Sequence, residues 1–425
     1  MTPAARLSAA IEILGAIDAQ RIPAPNALKE WGTAHRFAGS GDRAAIAGLV
    51  FDVLRRRASS AWLMDSDTPR ARTLGMLKLE RGLNVDAVAA LCDGGRFAPG
   101  PLTDTERAAL TTRSTKNAPA HIAGDYPEWL DPQFTAVFGE TRVDEAIAMA
   151  SRAPLDLRVN TLKASQDKVL ASMKHLGTRA TPWSPWGLRI DLGADARNPG
   201  IHSEEAFIKG GVEVQDEGSQ LAALLTGAKP GQQVIDMCAG AGGKTLALAA
   251  MMQGKGRLIA TDHDKRQLAP IHERLSRAGI HNADVRTPRG PDDTLSDIKA
   301  SADLVVIDAP CTGTGTWRRN PDAKWRMRPG ALEGRIKDQV EVLDRAAGLV
   351  KPGGRIAYIT CSVLPQENNE QVKAFTARHP DYAVVPPEQV MSVLWDKADD
   401  FAAATIRSDE GLLMTPRRTG TDGFF

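Results

Sequence analysis

Two cysteines in this chain each follow a run of apolar residues that predicts a buried strand. Cys311 comes shortly after residues 304–307, and Cys361 comes shortly after residues 355–359. A third apolar run leads into a glycine-rich turn over residues 236–245. In open α/β sheets, ligands bind at the carboxyl ends of the strands. Two thiols beside a glycine-rich loop therefore indicate covalent chemistry on a substrate that is brought to a bound cofactor.

The glycine-rich turn has the pattern of a nucleotide-binding loop. Strand, turn and helix in this order bring backbone N–H groups close to an anionic group at the helix amino terminus. The next predicted strand ends at Asp262, 18 residues after Lys244, where a carboxylate can accept hydrogen bonds from both hydroxyls of a ribose. The turn and the acid together predict a site for a nucleoside cofactor, and a purely structural βα turn is the alternative.

A phosphate-binding loop is a second interpretation of the same residues. Gly-Gly-Lys-Thr at 242–245 matches the end of the pattern G-x-x-x-x-G-K-T, and Asp308 could act as the metal-binding aspartate of an ATPase. That pattern also needs a glycine where this chain has Cys238. Nothing in such a fold requires two cysteines at strand ends, so the sequence disfavours nucleotide hydrolysis.

Methylation at carbon 5 of a pyrimidine would explain why two cysteines stand at strand ends. This carbon attacks a methyl sulfonium only after a thiolate has added to carbon 6 and turned the ring into an enamine. An acid near N3 must stabilise the adduct, and Asp308 precedes Cys311 in the same turn. A base must then remove the carbon-5 proton so that the thiol can leave. A redox pair, a zinc site or two core thiols are the alternatives, and zinc is disfavoured because no further ligand stands nearby in the sequence.

The composition is that of a globular protein. The chain has 425 residues, of which 42% are hydrophobic, and its formal net charge of +1 neither favours nor excludes a nucleic-acid partner. Its four cysteines include no C-x-x-C pair, which is typical of reduced thiols in the cytoplasm. We expect a cytoplasmic protein with no membrane span and no secretory signal, since Glu12 interrupts the apolar stretch at the amino terminus.

Hydrophobic periodicity divides the chain into three predicted domains. Residues 1–118 are predicted to form amphipathic helices, residues 119–205 a small α/β adaptor, and residues 206–425 alternating strands and helices at the spacing of βαβ units. Cys92 falls on an apolar helical stripe and is predicted to be a small buried hydrophobe. The predicted fold class is α/β: a Rossmann-like catalytic domain of seven strands, preceded by an all-α domain and the adaptor.

Three ordered motifs resemble those of the Sun/Nop family of RNA cytosine-5 methyltransferases. They lie at 236–245, 308–322 and 358–362, and Glu367 and Asn368 follow the last of them. Shorter stretches at 158–163, 215–220 and 421–425 also resemble family patterns. The helical amino-terminal part resembles the NusB-type RNA-binding domain of the family's bacterial 16S rRNA branch.

The resemblance implies a role for each candidate site residue. Cys361 is the implied nucleophile, Cys311 the residue that assists release, and Asp308 the contact with the cytosine. Lys244 is expected to face the active site, although a solvated lysine at a helix start is the alternative. The residues implied to bind S-adenosylmethionine are Cys238, Ala239, Gly240, Ala241, Gly242, Gly243, Lys244, Asp262 and Asp308. No metal is expected.

Two features depart from the family pattern. Gly240 and Ala241 stand where relatives usually have alanine and proline, which leaves the turn freer. The aspartate that relatives carry near the adenine has no clear counterpart in residues 287–292, because Asp292 lies too far along the chain. Both departures concern the affinity for the cofactor and not its type.

Tryptophans and cationic residues alternate shortly after the Cys311 turn, at 317–319 and at 324–328. Arginines can hold phosphates while aromatic rings stack on unpaired bases, so these residues predict an RNA-binding surface. The alternative is an amphipathic loop that packs its tryptophans into the protein.

Together these observations predict a monomer that uses S-adenosylmethionine to methylate carbon 5 of a cytosine in structured RNA, with 16S rRNA as the favoured substrate. Three alternatives stay open at this point. They are a tRNA methyltransferase, a DNA cytosine-5 methyltransferase that attacks with Cys311, and a non-catalytic RNA-binding assembly factor.

Overall fold

The computed structural model describes residues 1–193, 199–288 and 294–425. These residues fall into two compact units. The first contains Met1–Arg152 and Trp317–Arg328, and the second contains the other described residues from 153 onward. The segment that follows the Cys311 turn therefore belongs to the first unit, although the chain on either side of it belongs to the second. Position 292, considered above, lies outside the described residues.

The first unit is all helical, as predicted for the amino-terminal part. Its α-helices span Pro3–Gln20, Ala24–Ala34, Ser40–Arg55, Arg57–Met64, Pro69–Leu79, Val85–Leu91, Asp104–Thr112, Ala120–Ala123, Asp131–Phe138, Arg142–Ala150 and Pro321–Arg326. The apolar stripes that predicted them face inward, and Leu7, Ile46 and Val50 are fully buried. Cys92 is buried among them, which confirms its predicted role as a small hydrophobe.

The tryptophans after the Cys311 turn do not form the predicted base-stacking surface. Trp317 is only 2% exposed, and its ring centroid lies 5.9 Å from that of Phe134. The indole N–H of Trp325 donates to the carbonyl of Leu54 at 2.6 Å. Trp325 is half-buried against the same helical core. The prediction of a base-stacking surface is therefore wrong for Trp317, because burial of this large ring stabilises the helical unit more than exposure would.

The cations of the same segment divide into two groups. Lys324 is 1% exposed, and its ammonium group donates to the carbonyl of Arg55 at 3.3 Å. Arg326 and Arg328, by contrast, are exposed. Only the exposed arginines are placed where they could contact phosphates.

The second unit begins with a small antiparallel sheet. Its strands are β1 (Leu155–Val159), β2 (Arg179–Ala180), β3 (Gly187–Ile190) and β4 (Val212–Val214), in the order β2-β3-β1-β4. The inward side chains of Leu157, Leu188 and Val212 form a core with the helix Gln166–Ser172. The domain bounds at 118 and 205 stay a prediction.

A parallel sheet forms the body of the second unit. Its strands are β5 (Gln233–Asp236), β6 (Arg257–Thr261), β7 (Ala283–Arg286), β8 (Ala302–Asp308) and β9 (Val350–Ile359), in the order β7-β6-β5-β8-β9. The α-helices of this unit span Gln166–Ser172, Glu205–Ile208, Glu217–Leu225, Gly243–Met251, Lys265–Leu268, Ile271–Ala278, Pro329–Ala347, Asn369–Arg378, Pro387–Met391, Ala398–Ala404 and Pro416–Thr419. Because β5, β8 and β9 are neighbours and parallel, their carboxyl ends meet at one edge.

The predicted class is confirmed, but among the residues that the structure describes the parallel sheet has five strands and not the predicted seven. The strands β10 (Ile406–Ser408) and β11 (Gly411–Leu413) form a separate antiparallel hairpin. Phe425 exchanges two backbone hydrogen bonds with Thr360, just past the end of β9. In the described part of the chain β9 pairs with β8 alone, and its other side borders a cleft with apolar side chains such as Phe375 and Leu412. No helix within the described ranges is long and apolar enough to cross a membrane.

Candidate active site

The two cysteine turns meet at the carboxyl edge of the parallel sheet. β8 ends at Asp308 and β9 at Ile359, and these two residues are paired in register. The turns that follow bring the sulfur of Cys311 to 3.4 Å from the sulfur of Cys361. Both thiols are free and partly exposed. The structure thus brings together the two thiols that the sequence marked as candidates.

The surroundings of Cys311 disfavour its thiolate form. The pKa of Cys311 is raised well above its usual value, first by the hydrogen bond with Cys361, then by burial and by the charges of Cys361 and Glu367. A thiol with a raised pKa carries little thiolate at neutral pH and is a poor nucleophile. It can still donate a hydrogen bond to a neighbouring sulfur anion.

The Cys361 turn is fixed to the Cys311 turn by a second set of hydrogen bonds. The N–H of Gly315 donates to the carbonyl of Cys361 at 2.9 Å. The hydroxyls of Thr314 and Ser362 lie 3.1 Å apart, and the Thr314 hydroxyl also accepts from the N–H of Val363 at 2.9 Å. These groups are buried, so the spacing of the two turns is rigid.

The glycine-rich turn connects β5 to the helix Gly243–Met251. Gly242 has φ +86, and a Cβ there would lie 2.5 Å from Cγ1 of Ile271, so only glycine fits. Gly240 also has positive φ, but a Cβ there would meet nothing within 4 Å. The turn therefore packs tightly against the protein at Gly242, whereas there is free space beside Gly240.

Asp262 follows β6 directly and is 8% exposed. One carboxylate oxygen accepts the N–H of Gly240 at 2.9 Å, and the other accepts the N–H of Asp264 at 2.9 Å. Each oxygen keeps a lone pair for another donor. This carboxylate therefore anchors the glycine turn, a role that the sequence did not predict, as well as offering acceptors beside it.

Lys244 connects the glycine turn to the cysteine turns. Its side chain is 5% exposed, and its ammonium nitrogen lies 2.7 Å from Oδ2 of Asp308 and 3.3 Å from Oγ of Ser219. The ammonium group also lies 5.1 Å from the centroid of the Phe424 ring. Lys244 is thus a buried partner of Asp308 and not a solvated lysine at a helix start.

Burial raises the pKa of two further groups in the turn, Asp236 and Cys238. Asp236, at the end of β5, accepts the Thr245 hydroxyl at 2.7 Å, and burial raises its pKa to about 7. Burial also raises the pKa of Cys238, followed by the nearby carboxylates of Asp236, Asp308 and Asp262. Cys238 is therefore a neutral thiol that shapes the turn and not a third nucleophile.

S-Adenosylmethionine fits the residues present at this edge. The open side of Gly240 lies next to the Asp262 carboxylate that it binds, so a ribose can approach an acceptor without meeting a side chain at that glycine. The sequence marked Glu367 only beside the third motif and did not identify Gln339; both contact the Cys311 turn from within the core. Their only sequence signal is that Glu367 follows Cys361 by six residues.

Comparison with known proteins agrees with this geometry. The family model for 16S rRNA methyltransferase RsmB/F matches residues 223–425, and the RsmF/B-like ferredoxin-like domain matches residues 126–197. The ribosomal RNA small subunit methyltransferase B of Sodalis glossinidius is 34% identical over 334 residues, which cover 78% of this chain and 68% of the relative. The corresponding probable enzyme of Synechocystis is 29% identical over 419 residues, which cover 90% of each chain.

A solved structure is similar as well. The methyltransferase homolog protein from Pyrococcus horikoshii has 26% sequence identity and a TM-score of 0.56, and the match covers 72% of this chain and 95% of that one. Family model, relatives and fold agree, and this chain belongs to the RsmB/F family of 16S rRNA methyltransferases.

Proposed function

We propose that this chain methylates carbon 5 of a cytosine in small-subunit ribosomal RNA through a covalent adduct between Cys361 and carbon 6. One observation carries the proposal: two free thiols lie 3.4 Å apart at neighbouring strand ends. A strand-end aspartate, Asp308, is held by a buried lysine at the same edge. A methyltransferase that acts on an oxygen or an exocyclic nitrogen would need neither the second thiol nor an acid beside the ring.

The first step is addition of the Cys361 thiolate to the cytosine ring. A bond forms between the sulfur and carbon 6, and the electron pair of the C5–C6 double bond moves through the ring toward N3. The Lys244–Asp308 pair supplies a proton at N3, which leaves an enamine with a nucleophilic carbon 5. Burial of Lys244 keeps this proton source fixed against Asp308.

Bound S-adenosylmethionine supplies an electrophilic methyl group. The electron pair of carbon 5 would form the bond to this methyl group, while the bond between the methyl group and the sulfonium sulfur breaks and its electrons stay on that sulfur as a neutral thioether. A base such as water then removes the carbon-5 proton, whose bonding electrons re-form the C5–C6 double bond. The C6–S bond breaks, its electrons return to the sulfur of Cys361, and the N3 proton returns to the Lys244–Asp308 pair. The neutral Cys311 thiol, 3.4 Å away, donates a hydrogen bond to the departing thiolate and so lowers the barrier to release.

The raised pKa of Cys311 separates this mechanism from the one expected of a DNA cytosine-5 methyltransferase. Such an enzyme would attack with Cys311, and its Cys361 would lack a purpose. Here the hydrogen bond that Cys311 shares with Cys361, with Cys311 as the proposed donor, and the charge of Glu367 both raise the pKa of Cys311. The proposed nucleophile is therefore Cys361.

We assign RNA binding to the predicted amino-terminal domain, supported by its helical fold and by the exposed arginines Arg326 and Arg328 of the same compact unit. Phosphate contacts of this kind give an affinity that falls as salt concentration rises.

The experiment is methyl transfer from labelled S-adenosylmethionine to small-subunit rRNA from cells that lack the gene. Bisulfite mapping should locate one new 5-methylcytosine, and the Cys361→Ser variant should produce none. Transfer RNA and duplex DNA serve as parallel substrates. Methylation of tRNA alone, or of DNA alone, would replace the substrate assignment, and absence of 5-methylcytosine on all three would refute the proposed activity.

A further inference from the structure

A buried carboxylate outside the groups used above contacts the Cys311 turn. Glu367 belongs to the short helix Pro365–Glu367, which follows the Cys361 turn, and it is fully buried. Its Oε1 accepts the backbone N–H of Thr312 at 2.8 Å, and its Oε2 accepts the Thr312 hydroxyl at 2.5 Å. Both oxygens therefore hold the residue that directly follows Cys311.

The residue that precedes Cys311 is held by the same network. Gln339 is fully buried on the helix Pro329–Ala347, and its side-chain amide donates to the carbonyl of Pro310 at 2.9 Å. The same amide donates to Oε1 of Glu367 at 3.1 Å. Cys311 thus lies between two neighbours whose backbone groups are fixed by one carboxylate and its glutamine.

The position of Glu367 in the chain makes this network a link between the two cysteine turns. Its own backbone carbonyl accepts the hydroxyl of Tyr358, a residue of β9, at 2.7 Å. The backbone of Glu367 thus belongs to the segment that follows Cys361, whereas its carboxylate binds the turn of Cys311. A shift of either turn would break charge-assisted hydrogen bonds of a fully buried carboxylate.

The donors that contact Glu367 are all uncharged: a peptide N–H, a hydroxyl and an amide. A buried carboxylate with neutral partners is costly for the folded state, and stability alone does not explain it. Its negative charge also opposes ionisation of Cys311, which keeps that thiol a donor. Glu367 therefore affects Cys311 in two ways: its hydrogen bonds fix the neighbouring backbone, and its charge raises the pKa of the thiol.

We propose that Glu367 is a positioning residue that holds Cys311 against Cys361 for the release step, an inference that rests on the proposed function. If the network is loosened, Cys361 still attacks and methyl transfer still occurs. Release slows, because the Cys311 thiol no longer lies beside the departing sulfur. The protein–RNA adduct should then accumulate relative to free methylated RNA.

Two substitutions at Thr312 form a matched test. Thr312→Val keeps the shape of the side chain and removes the hydroxyl donor, whereas Thr312→Ser keeps the hydroxyl. Glu367→Gln is the third variant, which removes the charge at nearly constant volume. Each full-length chain is incubated with rRNA and labelled S-adenosylmethionine, and adduct and free product are separated on a denaturing gel.

We expect the ratio of adduct to free product to rise roughly five- to tenfold in Thr312→Val and Glu367→Gln, and to return close to the wild-type ratio in Thr312→Ser. Calorimetric affinity for S-adenosylmethionine should stay unchanged in all three. A general structural defect would lower the adduct and the product together. An unchanged ratio in Thr312→Val would overturn the inference, even if Glu367→Gln does not fold. A wild-type chain that yields neither adduct nor methylated RNA would instead remove the proposed function and this inference with it.

Discussion

Asp262 offers a direct test of the cofactor site, provided that its two roles are separated. The carboxylate accepts the N–H groups of Gly240 and Asp264, so it holds the glycine turn before any ligand binds. An alanine at this position would remove both hydrogen bonds to the backbone. A loss of affinity could then come either from the missing ligand contact or from a disordered turn. Asp262→Asn is the better change, because the amide oxygen still accepts from one of the two donors.

The expected loss follows from the bonds that the carboxylate can still make. Each oxygen uses one acceptor position on the backbone and keeps another for a ribose hydroxyl. Two such bonds to a charged acceptor stabilise the complex by about 2–3 kcal/mol beyond what a single neutral oxygen provides. The dissociation constant for S-adenosylmethionine should therefore rise about 30- to 150-fold in Asp262→Asn.

Isothermal titration calorimetry measures this change, with Asp264→Asn as the matched control. Asp264 lies two residues further on, and its side chain caps the next helix through the N–H of Arg266. Thermal denaturation without ligand reports on the glycine turn itself. Wild-type affinity in Asp262→Asn would refute the ribose contact. Equal losses of affinity in Asp262→Asn and Asp264→Asn would also refute the ribose contact, because the loss would then come from a disturbed backbone around residues 262–264.

Three further predictions concern the same edge of the sheet. Cys361→Ser should give neither adduct nor product, whereas Cys311→Ser should accumulate a protein–RNA adduct on a denaturing gel; the reverse pattern would assign the attack to Cys311. Gly242→Ala should destabilise the folded chain by about 2–4 kcal/mol, because a Cβ would lie 2.5 Å from Ile271, whereas Gly240→Ala should cost only the strain of its positive φ, about 1 kcal/mol; equal melting temperatures for the two variants would contradict the description of the turn. The pKa of Asp236 is raised to about 7 in the folded chain, so the stability that its neutral form contributes is present below pH 4 and is lost as pH rises through 7. Asp236→Asn should therefore flatten the fall in melting temperature between pH 4 and 8, and an unchanged profile would place the titrating group elsewhere.

Local patterns were sufficient to predict that the two candidate thiols lie close together. Each cysteine directly follows an apolar run, and a buried parallel strand is the simplest structure for such a run. Parallel neighbours then place their carboxyl ends together, which is why the sequence alone predicts one site for Cys311 and Cys361. The same argument gave Asp262 its place beside the glycine turn.

The environment of the segment after Cys311 could not be predicted in the same way. Trp317 is buried beside Phe134, and the half-buried Trp325 is hydrogen bonded to Leu54; both partners lie far away in the sequence. An alternation of tryptophan and arginine is equally compatible with a nucleic-acid surface and with a packed amphipathic loop. Which of these two structures forms depends on the residues that pack against the tryptophans, and no periodicity within 317–328 identifies those residues.

The number of strands illustrates a similar limit. The apolar segments near the end of the chain have the composition of strands. In the described residues they pair only over short stretches: β10 with β11, and Phe425 with Thr360. Whether a strand-like segment joins a sheet depends on register with a distant neighbour and not on its own residues.

The proposed division of labour between the two thiols also depends on the fold. Both are cysteines in turns of similar composition, so residue type cannot distinguish a nucleophile from a donor. In the proposed mechanism the distinction comes from what surrounds them: Cys311 is the donor in the hydrogen bond that it shares with Cys361, and it lies near the negative charge of Glu367. Each of these influences favours the neutral form of Cys311, and a neutral donor beside a departing thiolate is what release requires. The carboxylate that imposes this difference is placed by the turn of the other cysteine, so the geometry that brings the two sulfurs together also makes them chemically unequal.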